Sequence, residues 1–112
     1  MDVREFYVSL STKEALDILH ESIVQGSISG AIVDVYERVV GEHQVIVCVL
    51  EKYYMRTSNR ASLTITIDNL ENNTKVHAAS SGAGQGVFLR FDWGAGGSFV
   101  NSVEKALEAY II

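Results

Sequence analysis

The chain has no proline, one cysteine and one tryptophan among its 112 residues. Without proline no ladder loses an amide, which suits a sheet of uninterrupted antiparallel strands. The single thiol, Cys48, excludes an intrachain disulfide framework. Basic residues are scarce, nine against fourteen acidic, and the net charge is −5. That balance opposes docking on a phosphate backbone or an anionic bilayer, so neither nucleic acid nor a membrane is an expected partner. Long apolar runs are missing too. The longest strongly apolar one, Val45-Ile46-Val47-Cys48-Val49-Leu50, is far short of a membrane span. Asp2, Arg4 and Glu5 precede Phe6 with no secretory pattern, so a cytoplasmic protein with a reduced, buried Cys48 is expected. Asn72-Asn73-Thr74 matches a glycosylation acceptor but, without a secretory signal, reads as a turn.

What the chain does contain is enough apolar material for one ordered domain over residues 1–112. Its residues are 47% hydrophobic and 21% charged. A chain of this length buries roughly two-thirds of its unfolded surface, so neither metal nor disulfide is needed to hold it.

The hydrophobic periods divide the chain into elements. Residues 4–10 alternate, with Phe6, Val8 and Leu10 on one side. Ser11-Thr12-Lys13-Glu14 forms a capping box, predicting a helix from Thr12 with Ala15, Leu16, Leu19 and Ile23 inward and Gly26 as its stop. From Ile28 the period becomes two, with Ala31, Val33, Val35 and Val39 facing one way and Ile32, Asp34, Tyr36 and Arg38 the other. Gly41-Glu42 turns into a strand from His43 to about Met55, apolar on both faces in its first half, as expected where both sides are covered. After Thr57-Ser58-Asn59, residues 61–68 alternate with Leu63, Ile65 and Ile67 inward. A turn at 69–73 leads to a weaker strand at 75–80, then one at 87–91 and a final helix at 98–110 carrying Phe99, Val103, Ala106, Leu107 and Tyr110 on one stripe. The reading is an α+β domain of order β-α-β-β-β-β-β-α, its two helices on one face of an antiparallel sheet.

Six of the nine glycines fall between Gly82 and Gly97. Gly82-Ala83-Gly84-Gln85-Gly86 resembles a nucleotide loop only superficially. The sixth position is Val87, no Gly-Lys-Ser or Gly-Lys-Thr occurs, and a strand follows rather than a helix. A turn or bulge set by backbone geometry is the plainer reading. If the chain holds a small ligand, Ser81, Gly82, Gly84, Gln85, Gly86, Arg90 and Trp93 are the residues placed to bind it.

Other constellations carry less. His20, His43 and His77 lie far apart with no metal-ligand spacing, so no metal and no cofactor is expected. The serines of Gly26-Ser27-Ile28-Ser29-Gly30 are not centred between glycines, and Cys48 sits where a thiolate is costly, so no catalytic residue is assigned. Tyr53, Tyr54, Arg56 and Arg60 surround a hairpin tip and could stack on bases, but no wider basic surface supports them.

Gly26-Ser27-Ile28-Ser29 leading into the long hairpins, Ser80-Ser81-Gly82 running on to Phe91, Trp93-Gly94 and the terminal helix together carry a resemblance. The chain resembles a family of small uncharacterised bacterial proteins, a domain of unknown function found mainly in Gram-positive species. The resemblance spans nearly the whole chain and implies no activity and no catalytic residue. The element order is also similar to TATA-binding-protein-like and helix-grip folds, which host binders, carriers and enzymes alike.

Three functions follow in order. The first is a non-enzymatic homodimer joined through the sheet face away from the helices, with Ile32, Tyr36, Ile46, Cys48, Leu50 and Tyr54 at the interface, because one helical layer cannot cover a strand apolar on both sides. The second is a carrier or sensor of a small molecule at the glycine-rich loops. The third is an enzyme using that pocket, with His77 or Asp92 as its acid or base.

Overall fold

The computed structural model describes residues 2–54, 59–81 and 99–112. Five strands form one antiparallel sheet: β1 (Asp2–Val8), β2 (Ala31–Val40), β3 (His43–Tyr54), β4 (Asn59–Asp68) and β5 (Thr74–Ser81), in spatial order β1-β5-β4-β3-β2. Among the described strands the chain therefore starts at one edge, crosses by way of a helix to the opposite edge, and returns strand by strand. The expected strand at 87–91 lies outside the described residues.

Helix α1 (Thr12–Val24) begins where the local chemistry dictates. The amide of Glu14 donates to Ser11 Oγ at 3.1 Å and the Ser11 amide donates to Glu14 Oε1 at 2.9 Å, satisfying two amides that the first turn cannot. It stops at Gln25, and Gly26 takes the left-handed φ of 87° that favours glycine. A second helix, α2, covers residues 99–107 and runs into a 3₁₀ turn at Glu108–Tyr110.

Both helices lie on one face. Ala15 and Leu19 of α1, with Phe99, Val100, Val103 and Leu107 of α2, join Phe6, Val8, Ile46, Leu50, Leu63, Ile65, Ile67 and Val76 in a single buried cluster. The alternation in β4 is clean because every second residue enters that cluster. Full burial of each of Leu63, Ile65 and Ile67 contributes about 1.5–3 kcal/mol before entropy is counted. Arg4 ties the β1 edge to α2, donating to Asn101 Oδ1 at 2.8 Å and lying 3.6 Å from Glu104.

One sequence expectation changes here. Strand β2 has a register shift between Ile32 and Asp34, so Ile32 and Val35, opposite Leu50 and Cys48, share the helix side with Val39, while Asp34, Tyr36 and Arg38 take the open side. The extra residue reverses the phase of the alternation midway. Among the described residues, no second layer covers the other apolar face of β3. Val45, Val47 and Val49 are half-buried between Arg38, Tyr36 and Asp34 on β2 and Asp68, Thr66 and Thr64 on β4, row by row.

Candidate functional site

Of the five strands β2 is the least buried: only Ile32 among its ten residues is not exposed. The cause is topological, since among the described residues β2 pairs with β3 alone and α1 packs over β3 and β4. Val33, Tyr36, Val39 and Val40 are exposed by half or more of their surface. A long edge strand carrying large apolar side chains is a template for further pairing.

The other edge is treated differently. Residues 110–112 lie against the end of β1, with Val8 bridged to Ile111, the Ser9 amide donating to the Tyr110 carbonyl at 2.9 Å and the Ile112 amide to the Tyr7 carbonyl at 3.0 Å. The rest of β1 carries Arg4 and Glu5 on opposite faces, and inserted charge of this kind discourages pairing.

The open face of β2 has a definite charge order. Asp34, Tyr36 and Arg38 project from it in sequence, and Arg38 Nη1 donates to Tyr36 Oη at 3.1 Å. That bond raises the guanidinium pKa above its usual value. Neither Asp34 nor Arg38 has an ion-pair partner among the described residues. On the helix side Glu37 Oε2 accepts from Gln44 Nε2 at 3.1 Å, and Gln44 Oε1 accepts from Thr12 Oγ1 at 2.5 Å, which anchors this end of β2 to the first turn of α1.

Between α1 and β2 runs a cleft of about 240 Å³, lined by Leu16, Leu19, Ile23, Ile32, Val35 and Cys48, with Asp17 and His20 completing it. Burial raises the Cys48 thiol above its usual pKa, and the negative charge of Asp34 adds to the effect, so the floor of the cleft is a neutral thiol. A wider depression of about 510 Å³ lies at the other end of β2, where Ser29, Gly30, Val33, Lys52, Tyr53 and Arg60 contribute. Among the described residues no group of His, Cys, Asp and Glu could hold a metal ion, and no helix is long and apolar enough to cross a membrane.

The residues expected at an interface separate. Ile46, Cys48 and Leu50 are buried under the helices, and Ile32 packs against the same core. All four therefore lie on the helix side, Ile32 half-buried there, and none lines the open sheet face. Tyr36 does lie on that face, half exposed. Tyr54 pairs in register with Asn59 at the end of the hairpin. Of the ligand candidates, Ser81 is exposed at the end of β5 with its Oγ 3.0 Å from Ser62 Oγ. Gly82, Gly84, Gln85, Gly86, Arg90 and Trp93 lie outside the described residues, as does Asp92. His77 stands on the open face with Nδ1 2.9 Å from Glu5 Oε1.

Sequence reasoning missed Val33, Val39, Asp34 and Arg38 as surface residues of one edge. A signal was present: the adjacent charges Glu37 and Arg38 put one charge on each face, which a strand covered on both faces would not tolerate.

Comparison with family models matches residues 1–111 to DUF6054, a family of unknown function. No curated protein and no solved structure matches the chain.

Proposed function

Since the chain belongs to that family, whose description carries no activity to inherit, we propose that it works as a self-associating, non-enzymatic domain, joined through the β2 edge rather than through the sheet face. The single observation carrying this reading is the exposure of nine of the ten β2 residues, valines and a tyrosine among them, on a strand with one pairing partner among the described residues. Edge pairing would satisfy the outward backbone groups and remove apolar side chains from water together. Sedimentation velocity from low to high micromolar protein tests it: the expected result is a concentration-dependent dimer, and a monomer throughout would overturn it.

The cleft floored by Cys48 favours a second reading, a carrier of a small apolar molecule. A fluorescent acyl-chain probe should bind, and Ile23→Asp should weaken it. Binding that is absent, or equal in the two proteins, removes this reading.

A further inference from the structure

The self-association just described leaves the register between copies open, and the charge order on β2 selects one. When an antiparallel sheet continues across a two-fold axis, the axis stands perpendicular to the sheet and each face continues as the same face. Opposed residues must then share a face, so the axis passes through a residue that opposes itself.

Few centres are available beyond the bulge at Ile32/Asp34. Centring on Glu37 opposes two carboxylates, and centring on Arg38 opposes two guanidinium groups, both unfavourable across a strand pair. Centring on Val35 sets Asp34 against the tyrosine ring and carries Arg38 past the bulge. A centre at Val39 leaves only the last residues of the strand to pair. Centring on Tyr36 sets Asp34 of each copy opposite Arg38 of the other, twice by symmetry, with the two tyrosines between.

We propose that β2 pairs with β2 of a second copy in the antiparallel register centred on Tyr36, giving a ten-stranded sheet closed by two Asp34–Arg38 ion pairs on its open face. This rests on the edge reading above and adds what that reading lacks, namely which side chains meet. Asp34 and Arg38 lack carboxylate or guanidinium partners within their own described chain, and they fulfil each other across the axis. On the helix side the same register sets Val35 of each copy opposite Glu37 of the other and diagonal to its Val35 and Val39, and brings the mouths of both Cys48 clefts toward one another.

Charge exchange tests the register. Asp34→Arg and Arg38→Asp should each weaken the dimer about tenfold or more, because either substitution creates two like-charged pairs. The double variant Asp34→Arg/Arg38→Asp rebuilds both pairs with reversed polarity and should return the dissociation constant to within about threefold of the parent. Both positions are exposed, and far-ultraviolet circular dichroism checks that each variant folds. A second measurement needs no charge change. With oxidised glutathione as oxidant, Tyr36→Cys should form an intermolecular disulfide, since directly opposed residues fit the 4.4–6.8 Å Cα range of the bond at about 4.5–5.5 Å. Val40→Cys, four positions from the axis, should not. Native Cys48, buried, leaves the readout clean. A parent that dimerises while single variants are unaffected, or while the double variant stays weak, overturns the register and leaves edge association standing. A parent that stays monomeric overturns both.

Discussion

Asn69 completes the β3–β4 ladder with its side chain: its Oδ1 accepts the Gln44 amide at 2.6 Å, while its own amide donates to the Gln44 carbonyl at 3.2 Å. Its Nδ2 also donates to the Glu42 carbonyl at 3.1 Å, so one side chain fastens the β2–β3 turn to the β4–β5 turn. Asn69→Ala should cost about 1–3 kcal/mol, because the partly buried Gln44 amide loses its acceptor. The check is a urea melt, in which the midpoint falls while the slope is unchanged.

Two glycines with positive φ should respond unequally to a methyl group. At Gly26, φ is 87° and an added Cβ meets nothing within 4 Å, so Gly26→Ala should cost only the backbone strain, about 1–2 kcal/mol. At Gly30, φ is 138° and the Cβ would stand 3.1 Å from the Glu51 carbonyl oxygen and 3.3 Å from Phe99 Cζ. Gly30→Ala should therefore be the more damaging of the two, adding a steric cost on top of a strain of about 1–3 kcal/mol. Thermal melts of the pair decide the order.

The Glu5–His77 contact gives a pH dependence of known sign. The hydrogen bond from His77, followed by the charge of Lys75, lowers the Glu5 pKa below its ordinary 4.5. A carboxylate with a depressed folded pKa stabilises above its unfolded value, and that contribution disappears as pH falls through the folded value. The stability difference between the parent and Glu5→Gln should thus shrink between about pH 5 and about pH 3. A difference that stays constant over that range would show that the contact contributes nothing through ionisation.

Cys48 should react slowly in the folded chain. Its side chain is 2% exposed and its pKa is raised by burial from an ordinary value of 9.0, so both access and thiolate are suppressed. Alkylation by iodoacetamide at neutral pH should be about a hundredfold slower than in urea-unfolded protein. As pH rises past the unfolded pKa, the unfolded thiol ionises first and the folded state loses stability, a loss that Cys48→Ala should remove.

Local chemistry made part of this fold legible from the sequence. Ser11 and Glu14 marked the start of α1 because a capping box needs only four neighbouring residues. Leu63, Ile65 and Ile67 marked the inner face of β4 because that strand lies mid-sheet with no bulge. The facing of Tyr36 relative to Ile32 was misread because one added residue near Val33 shifts the phase, and no turn residue announces it. Ile46, Cys48 and Leu50 looked like candidates for a contact because a two-sided apolar strand does not reveal which side the helices take. Edge position is less legible still. It depends on the fifth strand inserting beside the first, a long-range pairing that leaves β2 outermost among the described strands.

The segment 110–112, lying along the end of β1, bears on how large an assembly can grow. A sheet with two free margins can stack head to tail without limit, and its product is a fibre. With the end of one margin taken up by residues 110–112, and with Arg4 and Glu5 along the rest of β1, the proposed pairing through β2 would halt at two copies. The isoleucines at 111 and 112 would then act as a terminator against filament formation.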